Sequence, residues 1–187
     1  ASVSLPSPPP PPSPPSPPPP LVEVTGLQLE INEGPSDVPF VVTVDGTNQV
    51  NVTLVVPAPK RVVLRGANAT EPAVFSGQGV RLFEVEAGAQ LYLSNLVLRD
   101  GFAGGECGGA ARVQDTGVLV AEYVRLENNS AQQGGAVCME GNGVLNLTAV
   151  NMSANRASDA ASGYALHLGR PTVPYPHVNL LGVALGS

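Results

Sequence analysis

Three segments of the chain share one pattern of apolar and polar positions. They begin at Val85, Val113 and Met139, so the pattern returns after 28 and then 26 residues. The same slots are apolar in every copy: Leu91, Leu119 and Leu145; Leu93, Ala121 and Leu147; Leu96, Val124 and Val150; Leu98, Leu126 and Met152. Apolar and polar residues alternate within each copy, as in a β-strand with one buried face. Because one unit buries too little alone, we expect the copies to stack as coils around a shared core.

The corners between the predicted strands repeat as well. Gly108-Gly109-Ala110 returns as Gly134-Gly135-Ala136, and the segment Leu126–Asn129 returns as Met152–Asn155. A weaker fourth copy starts near Gly163 and passes through Leu166 and Leu168, while Phe83 and Val85 fill the slots of Ala111 and Val113 upstream. A leucine-rich repeat has a similar period, but its helical return does not suit corners rich in Gly, Ser and Asn. The pattern therefore predicts an all-β fold, a parallel β-solenoid.

These corners resemble the polymorphic outer-membrane-protein repeat, whose motifs are GGA[ILV] and FxxN. The matching residues are Gly108–Ala110, Gly134–Val137, Leu126–Asn129 and Met152–Asn155, with Leu126 and Met152 at the Phe position. The resemblance covers roughly residues 50–168, including the lead-in segments Arg61–Gly66 and Arg81–Gly88. It implies a right-handed parallel β-helix of the pectin-lyase-like superfamily. For function it implies only secreted, surface-exposed or adhesive proteins.

The start of the chain has a different character. Twelve of the twenty prolines lie between Ser4 and Pro20, and no charge precedes Glu23. Proline fixes φ and lacks the N–H donor, so we expect a polyproline II tail over residues 1–20 and the β-helix domain over residues 21–187. The tail is either a passive linker or a docking element.

The Ser-Pro runs of this tail resemble the hydroxyproline-rich rods of green-algal and plant cell-wall glycoproteins. The resemblance implies an extracellular location (cell wall, matrix or flagellar surface). It also implies hydroxyproline and O-glycans at Pro8, Pro9, Pro10, Pro11, Pro12, Pro14, Pro15, Pro17, Pro18, Pro19 and Pro20.

The composition excludes several classes of protein and of binding partner. Charged residues are 13% of the 187 residues, the net charge is −6, and Lys60 is the only lysine. This balance argues against a coiled coil, a charged disordered chain and a nucleic-acid partner. No apolar run approaches the ~18 residues of a membrane span, so none is expected.

The strongest chemical signal is N-glycosylation. Sequons occur at Asn51, Asn68, Asn128, Asn146 and Asn151, five of the twelve asparagines. Strand side chains alternate between faces, so Asn146 points outward if Leu145 and Leu147 point inward. By the same parity Asn51, between Val50 and Val52, and Asn151 point outward, while Asn68 and Asn128 fall in corners. In a eukaryotic source these sites predict covalent glycans. The alternative is that they are unmodified polar residues of turns and outer faces.

Two further pairs of residues have predicted structural roles. Asn129 and Asn155 occupy the same corner of consecutive coils, so we expect their amides to form a ladder. Cys107 and Cys138 lie near consecutive Gly-Gly corners, although Cys138 aligns with Arg112. An even cysteine count in a secreted chain favours a disulfide, with free thiols or an intermolecular bridge as alternatives. Two cysteines and two scattered histidines predict no metal site.

The β-helix fold also hosts pectin lyases and polygalacturonases, whose chemistry needs clustered acids. The candidate residues fall on two neighbouring outward rows. The first row contains Glu84, Arg112, Cys138 and His167, and the second contains Glu86, Gln114 and Glu140. Each row contains only one or two carboxylates, and they lie on different coils. His167 and His177 have no Ser or Cys partner at a recognisable spacing. The sequence therefore predicts no enzyme, no cofactor, and a solvated face with one Glu84–Arg112 contact.

The last segment of the sequence, His177–Ser187, is apolar. We expect its coil to expose Leu180, Leu181, Val183 and Leu185, with unpaired backbone groups, to a partner. A head-to-tail contact between solenoid ends does not close on itself and so builds a filament. The sequence thus predicts a non-catalytic, secreted structural glycoprotein that forms extracellular or cell-surface fibrils with itself, by solenoid stacking and docking of the tail. The alternatives are a carbohydrate-binding or adhesive module on a stalk and a degenerate polysaccharide lyase.

Overall fold

The computed structural model describes residues 24–159, 163–169 and 177–186. The Pro-rich tail, with every proline singled out above, lies outside these residues. Within them the chain forms one helix and eighteen strands. These are α1 (Val24–Glu33), β1 (Phe40–Val44), β2 (Thr47–Val50), β3 (Leu54–Val56), β4 (Arg61–Gly66), β5 (Ala73–Gly77), β6 (Phe83–Val85), β7 (Gln90–Arg99), β8 (Phe102–Cys107), β9 (Ala111–Val113), β10 (Val118–Glu127), β11 (Ser130–Gln133), β12 (Val137–Met139), β13 (Val144–Thr148), β14 (Asn151–Ser153), β15 (Arg156–Ala157), β16 (Leu166–Leu168), β17 (His177–Leu181) and β18 (Ala184–Leu185).

The described strands form three parallel sheets, and successive coils of the chain supply successive strands of each. Sheet A has the order β1-β4-β7-β10-β13-β17, with β2, β5, β14 and β18 continuing its rungs past the bend in the strands. Sheet B has the order β3-β6-β9-β12-β16, and sheet C has the order β8-β11-β15. Every strand pair is parallel. The predicted parallel β-solenoid is confirmed.

The predicted register of the repeats is also confirmed. Leu119 in β10 pairs with Leu91 on one side and Leu145 on the other. In sheet B, Val137 pairs with Ala111 and with Leu166 of the fourth copy. Like side chains therefore stack above like, because the offset between copies equals the length of one coil.

The core fills the interior of the coils. The apolar slots of the repeats are buried, and the rings of Phe75 and Phe83 pack edge to face with centroids 5.4 Å apart. Each large apolar side chain buried in this way stabilises the fold by about 1.5–3 kcal/mol. The solenoid also extends beyond the segment that carries the resemblance, since β1 and β2 of the first coil begin before residue 50.

The long strands of sheet A bend at one equivalent position in successive coils, and in four coils the residue there is left-handed. Asn95, Tyr123, Ala149 and Gly182 have φ between 52° and 64° and occupy equivalent positions in β7, β10 and the β13–β14 and β17–β18 links. Gly66 fills this position in the second coil, where a Cβ would lie 2.1 Å from the carbonyl oxygen of Asn95. This repeated bend lets one strand wrap around the core.

Helix α1 covers the first coil and was not predicted. Leu27 and Ile31, four residues apart on one face, are 5% and 0% exposed and belong to the core. The side chain of Gln28 accepts a hydrogen bond from the Val55 N–H (2.6 Å) and donates one to the Val55 carbonyl (3.0 Å). The ammonium group of Lys60 donates to the carbonyl of Gly34, just after the helix. Gln28 thereby satisfies backbone groups at the edge of β3 that no strand pairs in the described residues.

Candidate functional sites on the solenoid surface

The Gly-Gly-Ala corners have a steric explanation. Gly108 and Gly134 have φ of 71° and 51°, a conformation that favours glycine. A Cβ on Gly109 would lie 2.5 Å from the carbonyl oxygen of Gly135, which belongs to the next coil. The alanines that end the two motifs, Ala110 and Ala136, are fully buried. The Gly-Gly-Ala motif is therefore explained by the close approach of two coils, which leaves no room for a side chain.

The same corner carries a different residue in the last described coil. Gly163 repeats the left-handed conformation with φ of 69°, and Tyr164 follows it. The N–H of Gly135 donates to the carbonyl of Tyr164 (2.9 Å), as the N–H of Gly109 donates to the carbonyl of Gly135 (3.0 Å). Tyr164 thus stands where the two preceding coils have glycine, and it is 64% exposed. A further coil of the same geometry would bring its backbone into the space of the Tyr164 side chain.

The predicted asparagine ladder is present at the corner between sheets A and C. Asn129 is fully buried; its amide donates to the carbonyl of Leu98 and to Oδ1 of Asn155, both at 3.0 Å, and its oxygen accepts from the Gly101 N–H. Asn155 in turn donates to the carbonyl of Leu126 at 2.8 Å. The ladder satisfies backbone groups that the turn leaves unpaired.

A cluster of opposite charges covers the corner between sheets C and B. Arg81 is 7% exposed; its guanidinium donates to the carbonyls of Cys107 (3.1 Å) and Gly108 (3.0 Å) and to the carboxylates of Glu84 (3.1 Å) and Glu106. A role for Arg81 was not predicted, although a lone arginine before the apolar pair Leu82-Phe83 is visible in the sequence.

Arg112 joins the same cluster and links three coils. Its guanidinium lies 3.5 Å from Glu84 on the preceding coil and 3.0 Å from Glu140 on the following one. The predicted Glu84–Arg112 contact is thus present, and Glu84, Arg112, Cys138 and His167 are consecutive partners in sheet B, as predicted. The expected solvated face with a single contact is wrong for this row, because Cys138 is fully buried and Arg112 also pairs with Glu140.

Electrostatics in this cluster favour charged side chains. The hydrogen bond from Arg81 and its positive charge hold the pKa of Glu106 below the usual 4.5. Burial alone lowers the pKa of Arg112, but the hydrogen bond to Glu140 and the charges of Glu140, Glu84 and Glu106 together raise it. Glu106 and Arg112 therefore stay ionised at neutral pH, as members of a structural ion-pair network do. A general acid needs a raised carboxyl pKa instead.

The two cysteines form a disulfide between adjacent coils. Cys107 ends β8, Cys138 lies in β12, and their Cα atoms are 5.5 Å apart. Cys107, Cys138 and Glu140 bring three ligand-type atoms within 4.8 Å of one another. A metal ion would need both sulfurs as thiolates, so this donor set does not fit one while the disulfide is formed.

The sequons lie on the outside of the described coils. Asn51, Asn68, Asn128 and Asn151 are exposed, and Asn146 is half-buried on the outer face of sheet A. Asn68 accepts hydrogen bonds from the backbone and hydroxyl of Thr70, the third residue of its own sequon (2.9 and 2.8 Å). Strand alternation would place Val52 inward, but Val52 is 56% exposed, because Asn51 and Val52 lie in a bend after β2.

The last coil exposes an apolar surface, here called the terminal patch (Leu180, Leu181, Val183 and Leu185). The three leucines are 48%, 63% and 72% exposed, and Val183 is half-buried. Leu180, Val183 and Leu185 line a cavity of about 610 Å³ together with Met152, Tyr164 and Leu166, whereas Leu181 lies outside this lining.

A shallow groove crosses the outer face of sheet A. It has a volume of about 460 Å³ and is lined by Val63, Arg65, Tyr92, Leu93, Ser94, Val120 and Glu122. The hydroxyl of Tyr92 donates to Oε1 of Gln90 (3.0 Å), which also accepts from Arg61 (3.0 Å). The groove around Tyr92 was not predicted, because the repeat pattern indicates only that the Tyr92 side chain faces outward.

No family model, curated protein or solved structure matches the chain. Among the described residues, no helix is both long and apolar enough to cross a membrane.

Proposed function

We propose that this chain is a non-catalytic structural glycoprotein of an extracellular or cell-surface assembly, whose solenoid associates with a second copy through the terminal patch. One observation carries the proposal: Leu180 and Leu185 of one coil line an apolar cavity and are 48% and 72% exposed, and the neighbouring Leu181 is 63% exposed. Contiguous exposed apolar surface of this kind marks interaction sites. The extracellular location rests on the sequons and on the resemblances of the repeats and the tail.

The contact that we propose joins two last coils. Gln28 covers the edge of β3 at the first coil, and Tyr164 stands where a further coil would approach the last one. Both features work against continuous head-to-tail stacking of β-strands. Two terminal patches that face each other form a self-complementary contact, which closes as a dimer. Growth into a fibril then needs a second contact, for which the Pro-rich tail is our candidate.

Sedimentation velocity of the secreted, glycosylated chain tests this proposal. We expect the wild type to associate as its concentration rises, and Leu185→Asp to remain a monomer, because Leu185 lines the cavity and is 72% exposed. Leu29→Asp is the matched control, since Leu29 is 56% exposed on α1 at the opposite end. A wild type that stays monomeric at every concentration overturns the self-association. If Leu29→Asp abolishes association as well, the contact is head to tail. An intact mass of 19.1 kDa, the unmodified value, would exclude both kinds of glycan.

A second candidate function is a carbohydrate-binding module, and the groove around Tyr92 favours it. An aromatic ring beside Arg65, Ser94 and Glu122 offers an apolar platform with polar groups next to it, which is how small-ligand sites are built. Calorimetric titration with soluble polysaccharides, on the wild type and on Tyr92→Ala, distinguishes this function from a purely structural one.

A further inference from the structure

An apolar column on the outer face of sheet A leads directly to a glycosylation sequon. Val63, Tyr92, Val120 and Asn146 are consecutive partners on four neighbouring strands, β4, β7, β10 and β13. All four are half-buried and lie on the outer face. We propose that an N-glycan on Asn146 folds back over Val120 and Tyr92 and covers the groove. This inference rests on the proposed function, in which the chain is glycosylated.

The spacing of the strands suits a sugar chain. Neighbouring strands are about 4.8 Å apart, so Val120 lies one step from Asn146 and Tyr92 lies two steps, roughly 10 Å, from it. One pyranose ring is about as long as one such step, so the first two sugars of a glycan reach Tyr92. The side-chain amide of Asn146 has no hydrogen-bond partner among the described residues, so it is free to carry the glycan.

The chemistry of the column also suits a sugar. A pyranose ring has an apolar face of C–H groups and a rim of hydroxyls. Val120 and the ring of Tyr92 offer an apolar surface, and the hydrogen bond to Gln90 fixes the position of that ring. Arg65, Ser94 and Glu122 form the parallel row beside the column, in register with one another. Arg65 and Glu122 are exposed and form no ion pair in the described part of the chain, so they can bind hydroxyls.

The sequon at Asn151 provides a control within the same coil. Its partner on the neighbouring strand is Arg125, which is exposed and pairs with Glu127 at 3.3 Å. The next position of that row is Val97, which is only 2% exposed. A glycan on Asn151 therefore meets a charged side chain and no apolar column. We expect it to extend into solvent.

Site-resolved deglycosylation of the folded, secreted glycoprotein tests the inference. Peptide-N-glycosidase is added under native conditions, and glycopeptide mass spectrometry follows the release at each sequon. A contact as strong as an aromatic pair slows release from Asn146 by a factor of roughly three to ten. We expect Tyr92→Ser to abolish this protection and Tyr92→Phe, which keeps the ring, to retain it. The control Tyr123→Ser, at a 64% exposed tyrosine outside the column, should change nothing.

The outcomes separate this inference from the function on which it rests. An equal release rate at Asn146 in the wild type and in Tyr92→Ser overturns the inference, and so does an unoccupied Asn146 beside occupied sequons elsewhere. In both cases the proposed glycoprotein stands. A chain without glycans at all five sequons overturns the proposed function itself. Free oligosaccharide that binds Asn146→Gln but not the wild type supports the inference, because it shows that the glycan occupies the groove. Equal binding to both overturns it.

Discussion

The side chain of Gln28 pairs with Val55 as a neighbouring strand would. It accepts from the N–H and donates to the carbonyl of the same residue, at 2.6 and 3.0 Å. Parallel solenoids expose unpaired backbone at their first coil, and such edges template aggregation. Here one amide on a helix satisfies both groups.

Replacing this amide should destabilise the first coil. We expect Gln28→Ala to lower the free energy of unfolding by about 1–3 kcal/mol, because two partly buried backbone groups lose their partners. It should also increase aggregation through the β3 edge. Urea unfolding and light scattering measure the two effects. The control Glu30→Ala, an exposed residue of the same helix, should change stability by no more than ~0.5 kcal/mol. Equal effects of the two variants would contradict the edge-capping role of Gln28.

The second glycine of each corner should tolerate no side chain. In Gly135→Ala the new Cβ would lie 2.4 Å from the carbonyl oxygen of Arg156 and 2.5 Å from that of Tyr164. Two coils must separate to accommodate it, at a cost of about 1–3 kcal/mol or more. Gly105→Ala is the matched control, since a Cβ at Gly105 meets nothing within 4 Å. Thermal unfolding of both variants should separate them; a tolerated Gly135→Ala would mean that the coils lie farther apart.

The asparagine ladder should contribute more at its buried member than at its outer one. Asn129→Ala leaves the Gly101 N–H and the Leu98 carbonyl without their partner. Each orphaned group costs about 1–3 kcal/mol. The Asn155 side chain also makes three hydrogen bonds, but it is half-buried, so water can replace part of them. We therefore expect a smaller effect from Asn155→Ala. Denaturant unfolding gives both values, and the Asn128 sequon is intact in both variants. A larger loss in Asn155→Ala than in Asn129→Ala would refute this order.

The charge cluster should make stability depend on pH. The pKa of Glu106 is lower in the folded protein than the usual 4.5, so the unfolded chain binds its proton more tightly. The stabilisation is therefore complete above about pH 4.5 and is lost as the pH falls through the folded pKa. We expect the wild type to be more stable than Glu106→Gln at neutral pH, and the difference to shrink in acid. The effect is small, because Glu106 is 62% exposed. A difference that does not change with pH would contradict the shift.

The sequence predicted those features that depend on periodicity. The slots of Leu91, Leu119 and Leu145 and the corners at Gly109 and Gly135 recur at the length of one coil, so alignment of the copies gave the register directly. The ladder of Asn129 and Asn155 followed from the same alignment. A repeated feature is visible in one sequence because the chain itself supplies the comparison.

Features that occur once were missed for the same reason. In α1 the segment Leu27–Ile31 alternates apolar and polar residues, so it fits a strand as well as a helix, and only the uncovered core of the first coil decides between them. The contact of Gln28 with Val55 joins helix α1 to the first coil and does not repeat. Arg81 is buried because carbonyls of the next coil surround it, which no local pattern reveals.

The covered first coil also bears on how the protein is made. Sheet partners are 22 to 33 residues apart along the chain in every parallel pair, so each coil needs only its predecessor as a template. The capped coil leaves the ribosome before the other described coils, and these can add to it one at a time as they emerge. Synthesis and folding then proceed in the same direction, and the apolar strands of sheet A spend little time without a partner.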